Sequence, residues 1–190
     1  MIYLASKSPR RRQLLELFGI DFETLVVAVN EHWNGTEAAP AYVCRLALEK
    51  ARAGSELVGK DCPVLAADTE VLIDAEILGK PADKAAALTM LQRLSGRSHQ
   101  VLTAVALVQR METVALSTSV VTFKPLSSAE CEAYCDSDEP YDKAGGYAIQ
   151  GLAAAFVTRL EGSYTGVMGL PQYETAQLLR KVPPGLFRVR

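Results

Sequence analysis

Lys7, Arg10, Arg11 and Arg12 crowd into "ASKSPRRRQLL" (5–15), directly behind a short apolar run. Ser8 is a favourable N-cap and Pro9 suits the first helical position, so the cations gather at a predicted helix start. That end of a helix is already positive. Each cation there costs about 0.3–1 kcal/mol unless an anion lies among them. Backbone donors at a helix start, joined by planar arginine donors, suit a phosphate. A solvated basic surface is the plain alternative.

Other chemistry-bearing residues are spread along the chain. Asp68 and Thr69 in "AADTE" stand where an apolar run turns polar, and strand ends often carry functional groups in α/β proteins. An aspartate there suits Mg²⁺ or an oriented water, and equally caps a turn; Glu70 shares its face if the strand continues. Lys50 comes seven residues after Val43 and interrupts an apolar helical stripe, although lysines also snorkel from such edges. Lys80 in "GKP" (79–81) reads as an exposed turn residue. In "DKAGGYAIQG" (142–151), glycines surround Tyr147 and Gln150. Either this is a plain loop, or its backbone approaches a ligand whose amide or carbonyl edge Gln150 reads. The stretch matches neither GxxxxGK[ST] nor GxGxxG, and no GxSxG elbow occurs. "EGSYTGVMGLP" (161–171) reads as a second small-residue loop, and the acid-rich stretch 130–142 as a solvated face. His99 has no evident nucleophilic partner. Trp33 and the methionines read as packing or surface residues.

The elements that must position these residues follow from periodicity and caps. "MIYLA" reads as a buried strand, and the helix capped by Ser8 has Leu14, Leu15, Leu17 and Phe18 as its apolar face, with Gly19 as its stop. "FETLVVAV" (22–29) predicts a strand. Residues 40–58 predict a helix with the stripe Val43, Leu46, Ala47 and Ala51. Residues 62–74 read as a strand, with "DAE" (74–76) as a turn. Asp83 caps a helix ended by Gly96. Residues 99–109 and 114–123 form an antiparallel pair. Ser127 and Glu130 make a capping box for a helix reaching Cys135. A strand at 155–162, a closing helix at 170–182 and the tail "PPGLFRVR" complete the chain. The mixture implies an α/β or α+β fold around a mixed sheet, organised as a single domain over 1–190.

Composition narrows the function classes. The 190 residues are 49% hydrophobic and 22% charged, ordinary for a globular protein, and can bury a sizeable core. A formal charge of −2 argues against nucleic-acid or membrane-surface binding, both of which need a net basic face. No apolar run approaches the roughly 20 residues of a membrane span. Cys44, Cys62, Cys131 and Cys135 show no CxxC spacing, and only His32 and His99 could join them, so structural zinc is not expected. Reduced cysteines predict a cytoplasmic location.

Taken in order, "SKSPRR", Glu31, "LEKA" around Lys50, "AADT", "GKP", "LSGRSHQVLTAV", "DKAGGYAIQG" and "GSYTGVMGLP" closely resemble the Maf family of nucleoside triphosphate pyrophosphatases, over nearly the whole chain. The resemblance implies an elongated, two-lobed mixed-sheet α/β fold of Maf/ITPase-like type with a central nucleotide cleft, usually homodimeric. It implies hydrolysis of a nucleoside triphosphate to the monophosphate and pyrophosphate, with "IQG" resembling the branch acting on dTTP and UTP. Alternatives are the same chemistry on a modified guanine nucleotide such as a 7-methyl-GTP-like triphosphate, or a nucleotide-binding regulator of cell division. Asp68 matches the family's catalytic aspartate, with Lys50 and Lys80 as catalytic cations. Arg11, Thr69 and Gln150 match base-selecting positions, and Ser8 and Arg10 phosphate-binding ones. Asp68 and Glu31 are the implied ligands of Mg²⁺ or Mn²⁺. Two departures stand out. Glu70 replaces a usual apolar residue, and Gly146 a common alanine, which implies a looser loop around Gln150.

Overall fold

The computed structural model describes residues 1–33 and 35–182; the tail "PPGLFRVR" lies outside them. In chain order the elements are β1 (Ile2–Ala5), α1 (Pro9–Glu16), β2 (Phe22–Leu25), α2 (Ala39–Val58), β3 (Val64–Ile73), β4 (Glu76–Leu78), α3 (Lys84–Leu94), β5 (Ser98–Val108), β6 (Glu112–Phe123), α4 (Ser128–Cys135), β7 (Val157–Glu161), α5 (Tyr164–Met168) and α6 (Gln172–Leu179). Single 3₁₀ turns occupy Ala144–Gly146 and Leu152–Phe156. The seven strands form one sheet in the order β2-β1-β3-β5-β6-β7, with β4 on β3. It is mixed: β1 runs parallel to β2 and β3, whereas β3–β4 and β6–β7 are antiparallel. Among the described residues no helix is long and apolar enough to cross a membrane.

By contact density the chain divides into two compact units. One comprises Met1–Asp68, Thr103–Ser117 and the chain from Gly169; the other Thr69–Leu102 and Thr118–Met168. In the first unit, β1 is almost fully apolar because it lies between two parallel neighbours, and Ile2, Leu4 and Ala5 are wholly buried. The amphipathic α2 packs against β1, and Gly54 permits the approach: a Cβ there would stand 2.8 Å from a Val64 methyl. Ser8 caps α1 by accepting from the Arg11 amide, and Leu14 and Leu15 are buried as the pattern requires. Leu17 is not; it is 73% exposed and only closes the helix. Strand β2 stops at Leu25 rather than residue 29. Its ladder partner β1 ends opposite, at Ala5, so 26–29 have nothing to pair with on that side.

The second unit is built on a core that includes Val71, Leu91, Leu94, Val121, Phe123 and Phe156. Burying each such side chain is worth about 1.5–3 kcal/mol relative to exposure. Asp74 and Ala75, both at positive φ, form the two-residue turn that carries β3 into β4, as such a hairpin demands. Asp83 caps α3 through the Ala86 amide, and Ser127 with Glu130 completes the expected capping box on α4. The Lys124 ammonium and two Ser127 contacts hold the Glu130 carboxyl down at about 2. Cys131 and Cys135 are buried free thiols, and Cys44 and Cys62 are also unbridged.

Three further stretches depart from expectation. Residues 155–156 belong to a 3₁₀ turn, so β7 starts at Val157. The stretch read as a loop at 161–171 contains the short helix α5, started by the Ser163 side chain accepting from the Gly166 amide. The closing helix is confined to Gln172–Leu179.

Candidate functional site

The first unit brings three predicted residues together. Lys50 projects from the buried side of α2 and is 9% exposed; Asp68, at the end of the apolar part of β3, is 5% exposed. The Lys50 ammonium donates to Asp68 Oδ1 at 2.6 Å and stands 2.6 Å from Glu31 Oε1. Lys50 thus interrupts the apolar stripe because it serves two carboxylates. Removing one partner of such a buried pair leaves a charge uncompensated, typically at a cost of about 3–5 kcal/mol.

Glu31 lies on a loop that α2 holds in place. Tyr42 Oη donates to the Glu31 carbonyl at 2.7 Å. Further along the loop, Arg45 pairs with Glu37 at 2.9 Å and also bonds Glu49, while Trp33 Nε1 donates to the Glu37 carbonyl. The two carboxylates keep the Arg45 guanidinium even more firmly protonated than usual. Tyr42, Arg45 and Glu37 went unread in the sequence. The i, i+4 spacing of Arg45 and Glu49 was visible, but the eight-residue reach to Glu37 depends on how the loop returns.

Asp68 Oδ2 is buried and has no hydrogen-bond partner among the described residues. A buried carboxylate oxygen without a donor is costly, so this atom is suited to a water proton or a cation. No group of three or more His, Cys, Asp or Glu side chains gathers as a metal cluster among the described residues. Asp68, whose Oδ1 shares the Lys50 ammonium with the half-exposed Glu31 carboxylate, nevertheless leaves Oδ2 as a hard oxygen donor beside a second one. That set fits an ion such as Mg²⁺, which takes one or two carboxylates and fills its remaining positions with water and substrate phosphates.

The basic helix start is divided in its uses. Arg12 pairs with Glu16 one turn on, both well exposed, and so belongs to a solvated surface pair. Arg11 Nε donates to the Gly169 carbonyl at 2.8 Å, which ties α1 to the segment before α6. Gln172 adds a second tie to the Leu14 carbonyl. Arg10 is half-buried in the first turn, and Lys7, just before the N-cap, is exposed. The Ser8 hydroxyl accepts from the Arg11 amide at 3.4 Å, and still carries its own O–H donor.

Thr69, Lys80 and Gln150 fall in the second unit. Thr69 and Glu70 are half-buried on β3, which continues to Ile73. Lys80 is exposed just beyond β4, and its neighbour Gly79 accepts from the Gly145 amide at 3.0 Å. Gly145 has no alternative residue: φ is +70° and a Cβ would lie 2.9 Å from Val71. Gly146 is also left-handed, at +68°, so its place in the loop has a backbone reason besides looseness. Residues 145–149 are buried and Gln150 is exposed. His99 is a core residue: its Nε2 is 2.8 Å from Tyr147 Oη, edge-on to Phe123, and burial lowers it to about 4. The acid-rich stretch departs from the solvated reading at Glu139. Its carboxylate accepts from Tyr134 Oη and from two backbone amides.

A family profile described as Maf-like protein matches residues 1–182. The chain belongs to the Maf family. It is 54% identical to a dTTP/UTP pyrophosphatase of Alkalilimnicola ehrlichii, over 94% of this chain and 91% of that protein. It is 49% identical to the dTTP/UTP pyrophosphatase of Escherichia coli K12, with the same coverage of each chain. Among solved structures, a dITP/XTP pyrophosphatase from Mycobacterium abscessus gives a TM-score of 0.47 at 20% identity, covering 94% of each chain.

Proposed function

We propose that this chain hydrolyses dTTP and UTP to the nucleoside monophosphate and pyrophosphate, cleansing the nucleotide pool, with Mg²⁺ or Mn²⁺ as its cofactor. The observation that carries the reading is the buried Lys50–Asp68 pair with one aspartate oxygen left unpartnered, in a chain about half identical to proteins of that name. The water oxygen bonds to phosphorus, the bond between the α- and β-phosphates breaks, and pyrophosphate leaves with the bridging electron pair. Asp68 Oδ2 takes the water proton while Lys50 holds Oδ1 in place. Such general-base assistance is worth typically about 10²–10⁴-fold. The transition state spreads charge over the phosphoryl oxygens, and Lys50, Lys80 and Arg10 neutralise it. Ser8 and the start of α1 position the phosphate chain. Asp68 and Glu31 would hold the divalent ion, which would supply Lewis-acid polarisation of the phosphoryl group.

Base choice belongs to Arg11, Thr69 and Gln150. The Gln150 amide offers a donor and an acceptor, which complement the imide edge shared by thymine and uracil. A wrong base leaves buried polar groups unpaired and is rejected strongly for that reason. The test is a panel of dTTP, UTP, CTP, GTP and a modified guanine triphosphate, each with Mg²⁺ or Mn²⁺. Monophosphate and pyrophosphate from dTTP and UTP are expected. Orthophosphate release rejects the bond assignment, and turnover of purine triphosphates alone rejects the subclass. Metal chelation is expected to abolish turnover. The reading includes a cytoplasmic homodimer, checked by sedimentation and cell fractionation.

A further inference from the structure

We infer that Glu139 and Tyr134 form a clamp that presents Gln150 to the nucleobase, so that both are positioning residues for base selection. The inference rests on the base-reading role proposed for Gln150.

Gln150 is the exposed residue at the tip of a tight turn, in which the Gly151 amide donates to the Ala148 carbonyl at 3.0 Å. The two ends of that turn hang on two side chains that bond each other. On the entering side, the Ala148 amide donates to Tyr134 Oη at 3.2 Å. On the leaving side, the Leu152 amide donates to Glu139 Oε2 at 3.0 Å and the Ala153 amide to Oε1 at 3.3 Å. Tyr134 Oη closes the circuit by donating to Glu139 Oε1 at 2.8 Å.

The supports of the clamp are themselves fixed. Tyr134 is 3% exposed and packs edge-on against Phe156. Burial and the Glu139 carboxylate raise its phenol, so it remains a donor at neutral pH. Lys143 Nζ donates to the Glu139 carbonyl at 2.6 Å, and the Ser137 hydroxyl to the Tyr134 carbonyl at 2.6 Å. Gly151 is needed for a steric reason: a Cβ there would lie 2.1 Å from Glu139 Oε2. Any larger residue after Gln150 would displace the carboxylate from its present place on the turn. A glutamine at 139 keeps one acceptor but replaces the other by an N–H₂ that faces an amide donor. The leaving end of the turn then loses one of its two bonds to residue 139 while the side chain keeps its size.

The experiment compares E139Q, Y134F and Q150A with the unaltered enzyme, each shown to be folded by circular dichroism. The readout is kcat/KM for UTP over CTP, whose exocyclic amine reverses the donor and acceptor order of the base edge. Displacing a positioned group by even about 1 Å costs on the order of 10²-fold, so a drop of at least about tenfold in that ratio is expected for Q150A and for both clamp variants. Loss of thermal stability with an unchanged ratio in the clamp variants overturns the inference, because a merely structural role lowers the amount of folded enzyme and leaves selectivity alone. A ratio altered in Q150A but not in E139Q or Y134F rejects the clamp and spares the reading of Gln150. An unaltered ratio in Q150A rejects both. If E139Q proves unstable, Y134F decides alone, since it removes the donor to Glu139 and the acceptor for Ala148 together.

Discussion

The Lys50 cluster in the first unit and the Gln150 turn in the second manage buried polar groups in opposite ways. Around Lys50, one ammonium serves two carboxylates, and an oxygen of Asp68 has no partner among the described residues. Around Gln150, Glu139 and Tyr134 have their polar atoms engaged, and the turn is tied at both ends. An unsatisfied atom is a place for chemistry, because a proton or a cation gains most where solvation is missing. A satisfied network is rigid, and rigidity is what discrimination between bases needs.

The largest test of this contrast is Asp68→Asn. It removes the charge and one acceptor from the underpaired site, and turnover is expected to fall roughly 10²–10⁴-fold, with nucleotide binding measured by calorimetry largely kept. A cellular role that survives the substitution would favour a regulatory protein over an enzyme. Lys50→Met comes next. It strands two carboxylates, one of them buried, and chemical denaturation should show a loss of about 3–5 kcal/mol together with lost activity.

Acid pH probes the second unit separately. His99 is held near 4 by burial, well below its ordinary value. Above about 6.5 it is neutral in both folded and unfolded chains and contributes no pH dependence. As pH falls from there towards 4, the unfolded chain binds a proton that the native core refuses. Stability is expected to drop across that window by about 3 kcal/mol, levelling off below it. Urea midpoints at several pH values, with His99→Leu as the control, measure it; a flat profile would remove the burial account. The smallest effect should come from Arg12→Ala. The exposed pair with Glu16 is worth about 0.3–0.5 kcal/mol, and normal activity would show that Arg12 stands apart from the phosphate-binding role given to Arg10.

Local chemistry was legible in the sequence wherever it acts over one helical turn. Ser8, Asp83 and Ser127 were read as caps, and each accepts the amide three residues on. Lys50 stood out because it broke an apolar stripe, and the break is explained by partners 18 and 19 residues away. Glu139 did not stand out. In the sequence it is one acid in an acid-rich stretch, and nothing local separates it from Asp136, whose exposed carboxylate pairs with Lys84. The short α5 was hidden among small residues that suit a loop equally well.

From the sequence alone came the mixed α/β class, the caps, the apolar stripes and an ordered set of motifs over nearly the whole chain. These depend on periodicity and near-neighbour hydrogen bonds, which residue order specifies directly. Tertiary structure decided which carboxylates share the Lys50 ammonium, that Arg11 reaches the Gly169 carbonyl, and that the bonded pair Tyr134 and Glu139 holds the two sides of the Gln150 turn. Those contacts join residues between 5 and 158 positions apart, and even the nearest depends on how buried elements pack around it. No local pattern encodes where such groups meet.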